Sequence, residues 1–374
     1  MNERTTSQST GTTKAALPKA VVRRLPVLAT CIYIFTMLGL GNAFSAAADA
    51  AGNPKRALTV TQQYNVPITE VSGLAIVRSS KKESKETDED SVNLYAVGDK
   101  THEVARFRFN GMADVIIDVH DAAPVIGKDK KDASEWEAIA ADGKDTICML
   151  NEPRSEISCL DLGLQQDRGS FSLDTSSISD LDSAWKARSN SRGEGMILMQ
   201  KGHVLILKEK EPPMLVEFGP EGEAPMGYGP SAFLQAGEAF AGFQPVNPDK
   251  ADQPNRPGRR ASPQRLVALK TWKFSARLSD LAKDASEITL GPDGRVYLLS
   301  QEGSALIRLE KTLKPDENKV GVDHGAYWNL PAGLEKAEGL VIDNHMQPWI
   351  GVDIKQTHKP NLFRLSPIDA AAPE

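Results

Sequence analysis

Nine acidic residues and one serine recur in this sequence at a spacing that would gather them on one surface. The segments Glu137 to Glu152, Glu194 to Glu209, Glu287 to Glu302 and Glu338 to Asp353 each run fifteen positions from acid to acid. A fifth copy opens on Ser72 in "SGLAIV" and closes on Asp99 in "NLYAVGD", once a charged insert is set aside. Every segment holds two short apolar runs around a polar turn such as "PDG" or "DNH", which is the pattern of a β-hairpin. A hairpin returns the chain to its starting end, so its opening and closing acids fall together. Two unit charges about 5 Å apart repel by roughly 3 kcal/mol at an effective dielectric near 20. Converged carboxylates must therefore hold a cation, keep protons or stay apart, and calcium suits a set of six to eight hard oxygens.

The elements that position these acids follow from the rest of each repeat. After each closing acid comes a third apolar run: "VARFRF", "EISCLDL", "MLVEFG", "ALIRLE" and "NLFRLS". "DVIIDVH" and "GSFSLD" suggest a fourth. Four antiparallel strands per unit, repeated radially, make a β-propeller blade. The fold expected is all-β: five four-stranded blades over residues 56–367, with a Gly/Pro-rich loop at about 219–263 that has room for a degenerate sixth. The alternating run Leu58 to Tyr64 is expected to complete the last blade and close the ring. The charged tract from Arg78 to Asn93 falls at the first hairpin tip, opposite the acids, and reads as a solvated insertion.

In such a ring Glu137, Glu194, Glu287 and Glu338 open the innermost strands and form the expected metal set. Asp99, Glu152, Glu209, Glu302 and Asp353 lie one strand further out as a secondary acidic ring. The competing reading is local: each acid pairs with a nearby base such as Lys100, Arg154, Lys208, Lys210, Lys336 or Lys355, or caps an amide, because each repeat needs the same internal contact. Trp136 and Trp349 read as core or axial packing.

The stretches "EGMILMQKGHVLILKEKEPP", "ASEITLGPDGRVYLLSQEGSALIRLE" and "KAEGLVIDNHMQPWIGVDIKQTHKPNLFRLSP" resemble, in this order, the SdiA-regulated family of bacterial envelope propellers. The resemblance spans roughly Leu58 to Pro367 and implies a propeller of about five blades with a calcium site and no assigned chemistry. "SGLAI" and "EGL" also resemble, more distantly, the strand starts of esterase-like phytase propellers. Two departures stand out: Ser72 replaces the opening Glu of the first copy, and the glycine after Glu137 is missing.

The chain opens with a polar run, then Lys14, Lys19, Arg23 and Arg24, then an apolar block from Leu25 to Leu40 and the small residues "AFSAAADA". That order is an export signal or amino-terminal anchor over residues 1–50, which places the protein in the periplasm or tethers it to the inner membrane facing it. An oxidising compartment permits disulfides. Cys148 and Cys159 lie opposite each other across the turn at Pro153, either bonded or as two buried thiols.

A balance of 44 basic to 50 acidic residues gives no nucleic-acid surface. The six histidines show no paired metal spacing, and no nucleophile elbow, phosphate loop or CxxC pair occurs. The expectation is a monomeric, non-catalytic binding or scaffold module of the cell envelope, calcium-bound, acting on an unknown ligand or envelope protein. Its membrane contact is limited to the amino-terminal segment. The alternative is a metal-dependent hydrolase of the phosphoesterase, phytase or lactonase kind, which would need an open metal position and a base.

Overall fold

The computed structural model describes residues 56–78, 93–110, 114–127, 134–188, 191–243, 262–356 and 358–369. The expected export segment, the charged tract beyond Arg78 and residues 244–261 of the Gly/Pro-rich stretch lie outside the described residues.

Two short strands come first, β1 (Arg56–Ala57) and β2 (Val60–Tyr64). The first meander is β3 (Val71–Val77), β4 (Asn93–Gly98), β5 (Glu103–Asn110) and β6 (Asp114–Asp121), followed by the one-turn helix α1 (Ala123–Ile126). The second is β7 (Trp136–Ala141), β8 (Thr146–Asn151), β9 (Glu156–Asp161) and β10 (Asp167–Asp174), followed by α2 (Ser179–Ala187). The third is β11 (Gly195–Leu198), β12 (Val204–Lys208), β13 (Met214–Pro220) and β14 (Gln264–Phe274), followed by α3 (Ala276–Leu281). The fourth is β15 (Ala285–Leu290), β16 (Val296–Ser300) and β17 (Ala305–Leu309), then the short β18 (Lys319–Val320) and β19 (Val322–Asn329) as its outer strand. The fifth, β20 (Ala337–Ile342), β21 (Pro348–Val352) and β22 (Leu362–Leu365), takes its outer strand from β2.

First strands of successive meanders touch in the cyclic order β3, β7, β11, β15, β20 and back to β3. The packing follows from period-two alternation, which sends successive side chains to opposite faces of a sheet. Val204 and Ile206 pack toward the second meander, while Leu205 and Leu207 pack toward the fourth. Both faces are buried, so the central strands read as continuous apolar runs. Buried apolar clusters lie between each meander and the next, including between fifth and first, where Trp349 and Val341 meet Leu74 and Phe107. Trp136 and Trp349 are both core residues.

The amino-terminal strands act as clasps. β2 pairs antiparallel with β22, and β1 pairs parallel with β19 of the neighbouring meander. The second and third meanders are joined at their rims by parallel pairing of β10 with β14.

At the hairpin tips the acids serve the turns. Asp142 Oδ1 accepts the amides of Lys144, Asp145 and Thr146, and Asp343 Oδ1 accepts those of His345 and Gln347. The loop after β13 crosses this tip end. Phe233 bridges to Met199, Tyr228 bridges to Leu313, and the Gly237 amide donates to the Gly143 carbonyl at 2.7 Å. A side chain on Gly143 would collide with the Gln235 carbonyl oxygen, so the loop's close approach requires glycine there. Among the described residues between Pro220 and Gln264 there is no strand for a sixth blade.

Cys148 and Cys159 face each other on β8 and β9 and form a disulfide, both sulfurs buried in the core between the second and third meanders. The bond closes a loop with a sequence separation of 11. Loop-closure entropy predicts that the Cys148→Ala/Cys159→Ala double variant loses about 2–3 kcal/mol in denaturant unfolding. An unchanged midpoint would show that the bond constrains nothing in the unfolded chain.

Candidate acidic site

The register of the inner hairpins decides which acids converge. Four of the five inner strands carry a bulge at their start: the shift falls between Val71 and Gly73, Trp136 and Ala138, Ala285 and Glu287, and Ala337 and Gly339. The bulged residues are Ser72, Glu137, Ser286 and Glu338. In the third meander Glu194 holds the same place, its amide donating to Leu207 O just before β11. A bulge re-aims a side chain, and here it sets Glu137 and Glu338 on the same end as Glu194, while the two bulged serines turn to the following inner strand. Ser72 Oγ donates to Trp136 O at 2.5 Å and Ser286 Oγ to Ala337 O at 2.8 Å, which is the same bond to the start of the following inner strand.

The position after the bulge is crowded. Added Cβ atoms on Gly73, Gly195 and Gly339 would lie 3.0 Å from Ile139 N, 2.5 Å from Ile288 N and 2.8 Å from Leu74 Cγ. Consecutive inner strands run that close, which explains the glycine in "SGL", "EGM" and "EGL". Ala138 holds this position in the second meander.

Glu287 falls on that crowded position, one step past the bulge, and this corrects its expected place among the inner acids. It is 1% exposed and lies against Gly195 of the third meander, with Oε1 accepting its neighbour's amide, Ile288 N, at 2.9 Å. Burial raises its carboxyl well above the usual range, the Ile288 and Met196 amides offset part of this, and no other acid contributes. Glu302 is likewise one step out. Gln301 occupies the place of Asp99, Glu152, Glu209 and Asp353, its amide donating to Asp284 O as that of Asp353 donates to Lys336 O. Glu302 itself is exposed.

The outer acids are locally partnered. Lys100 pairs with Asp99 and, at 3.5 Å, with Glu70. Lys210 pairs with Glu209 and, at 2.9 Å, with Asp284; Lys336 reaches Asp353 at 2.5 Å; Glu152 Oε1 accepts the Arg192 amide at 2.6 Å. Lys355 lies 3.4 Å from Glu70. Burial still lifts Glu152 and Glu209 to about 7. Lys208 points its Nζ at the Lys210 carbonyl.

The side chains of Glu137, Glu194 and Glu338 make no hydrogen bond or ion pair with another described residue. Burial, then repulsion from neighbouring acids, raises all three: Glu137, opposed by Glu152 and Asp99 and partly relieved by Lys100, and Glu338, opposed by Asp353 and Glu137 and partly relieved by Lys336, to about 8, and Glu194, opposed by Glu137, Glu209, Glu152 and Glu338, well above its usual value. Asp99 Oδ1 and Asp353 Oδ1 are buried without hydrogen-bond donors. The donor chemistry fits a hard divalent cation, but the side chains as they lie do not close a site: among the described residues no group of three or more acidic, histidine or cysteine side chains stands close enough to hold a metal ion.

Glu70 and Asp284 join the acid surface without having been expected there. The shared "S-x-[IL]" opening of "SGLAI" and "SEITL" was the available signal for the register of Ser286.

No family model and no curated protein matches the chain. Solved structures similar to it are β-propellers. They include a streptogramin B lyase (9% identity, 82% of this chain and 96% of that one, TM-score 0.40). A catalytically inactive virginiamycin B lyase from Staphylococcus aureus with quinupristin shares 11% identity over 82% of this chain and 99% of that one, TM-score 0.40. The PQQ-bound form of an aldose sugar dehydrogenase from Streptomyces coelicolor shares 10% over 84% and 99%, TM-score 0.40. At TM-scores of 0.40 the likeness carries no argument about this chain, whose fold rests on its own strand pairing.

Proposed function

We propose that this chain is a five-bladed propeller of the SdiA-regulated kind that works in the bacterial envelope as a binding module, taking a divalent cation, calcium foremost, at its acid-bearing mouth. One observation carries the reading: the Glu137, Glu194 and Glu338 side chains open three inner strands at one end, close enough to the neighbouring acids for repulsion to raise them, and none is hydrogen-bonded or ion-paired to a described base, whereas Asp99, Glu209 and Asp353 each are. Proteins pair or neutralise buried carboxylates, so a set left unpaired is a binding site in waiting. Calcium tolerates irregular oxygen shells completed by water, which suits acids that must turn inward to meet it. The Cys148–Cys159 disulfide supports an oxidising compartment, and the amino-terminal segment supplies the export signal or anchor.

The test is a melting curve of the protein in calcium, in magnesium and in chelator. Binding to the folded state alone stabilises it by about 2.7 kcal/mol at a hundredfold excess over Kd. Calcium is expected to raise Tm above the chelator value, and Glu194→Gln and Glu338→Gln each to abolish the rise while the protein still folds. Identical curves in calcium and chelator would refute the cation site.

A further inference from the structure

At the other end of the channel, away from the acids, the inner strands enclose a second space. Its walls come from four of the five inner strands, among them Leu74, Ile139, Met196 and Ile288, and its cavity volume is about 80 Å³. Leu234, Gln235 and Ala236 of the long loop line it as well. That segment is held over the tips by the Gly237 bond to Gly143 and by the Phe240 amide, which donates to Asp142 Oδ2 at 3.0 Å.

Among the described residues one cation faces this space. Arg78, just past the end of β3, spends Nη2 on the carbonyls of Leu290 and Ile342, 2.8 Å each, and its Nε has no acceptor among the described residues. The acids around it are already engaged. Asp142 accepts four backbone amides, Asp343 Oδ2 accepts Trp349 Nε1 and Arg364 Nη2, and Asp293 accepts the Arg295 amide and the Tyr297 hydroxyl. Burial draws the pKa of Arg78 down to about 10, the nearby charges of Asp293 and Asp343 offsetting part of it, so it stays charged at neutrality. A guanidinium is a planar donor matched to carboxylates.

We propose that this roofed space is a binding pocket for a small organic anion, a carboxylate on a flat or short apolar body, with Arg78 holding the charge and the Leu234–Ala236 segment closing over the body. The proposal rests on the cavity, the roof and the guanidinium, independently of the cation site at the opposite mouth. Concave, largely apolar spaces with a few fixed polar groups are the usual form of small-molecule sites.

Fluorine NMR with 4-fluorobenzoate and its neutral isostere 4-fluorobenzamide tests this. Expected is saturable broadening of the benzoate signal, with affinity at least about tenfold above that of the amide. Arg78→Gln should erase the preference, and Ala236→Trp, a change at an exposed roof position that fills the space, should abolish binding of both while the far-UV spectrum stays that of the wild type. The proposal falls if the folded protein shows no saturable benzoate binding, if the amide binds equally well, or if Ala236→Trp leaves binding intact. Should Arg78→Gln fail to fold, the wild-type preference and the Ala236→Trp variant still decide it.

Discussion

Freed of divalent cations, the protein is expected to lose stability steadily as pH rises from about 5 to about 8. Glu137 and Glu338 have folded-state values of about 8 against an ordinary 4.5, and Glu194 moves in the same direction. A carboxyl raised on folding binds its proton more tightly in the native state. Its contribution is therefore whole below the unfolded value near 4.5 and is lost as pH climbs to the folded value. Each tenfold gain in proton affinity on folding corresponds to about 1.4 kcal/mol. Partial exposure and mutual coupling reduce the sum, leaving on the order of 2–4 kcal/mol for the three together. Thermal melts in chelator from pH 5 to 9 measure this, and Glu194→Gln should flatten the profile. Added calcium should restore stability most at the alkaline end, where the acids no longer compete with protons. A flat profile in chelator would mean that the three acids are further apart or wetter than the structure places them.

The second large effect concerns the loop. Glu217 is fully buried on β13 and accepts His203 Nδ1 at 2.6 Å, the Met226 amide at 2.8 Å and the Gly227 amide at 2.9 Å. One carboxylate thus fastens β12 through His203 and the root of the loop to the same strand. Glu217→Ala strips acceptors from two amides and from a buried imidazole, a loss on the order of 3–5 kcal/mol. It also frees the loop from its root, so limited proteolysis between Pro220 and Gln264 should quicken well beyond what global destabilisation explains. Glu217→Gln, which keeps an acceptor, should lie between the two. Wild-type cleavage rates in Glu217→Ala would show that Tyr228 and Phe233 hold the loop unaided.

Hairpin periodicity showed the strand order directly, because strands buried on both faces announce themselves as apolar runs between polar turns. The opening acids of three repeats were legible for the same reason. Glu287 and Glu302 were not, since a bulge adds one residue to one strand and shifts the side chain by a full face. Counting from acid to acid cannot detect that shift when a serine has taken the bulge, as Ser286 has. The pairing of the outer acids with Lys100, Lys210 and Lys336 could be read from sequence proximity, but their having partners while the inner three have none depends on which way the bulges turn. The side of the molecule on which the long loop lies was also hidden, because it is fixed by single contacts: Glu217 to Gly227, Gly143 to Gly237.

The clasp made by β2 bears on how the protein is born. Thr61 Oγ1 donates to Arg364 O across a sequence separation of 303, so β2 waits for a partner made much later. The ring therefore stays open until β22 has been made. Such late, long-range pairing is slow. A circular permutant that moves Val60–Tyr64 to follow Leu365 would join the clasp to its partner as a simple hairpin, and would remove that delay.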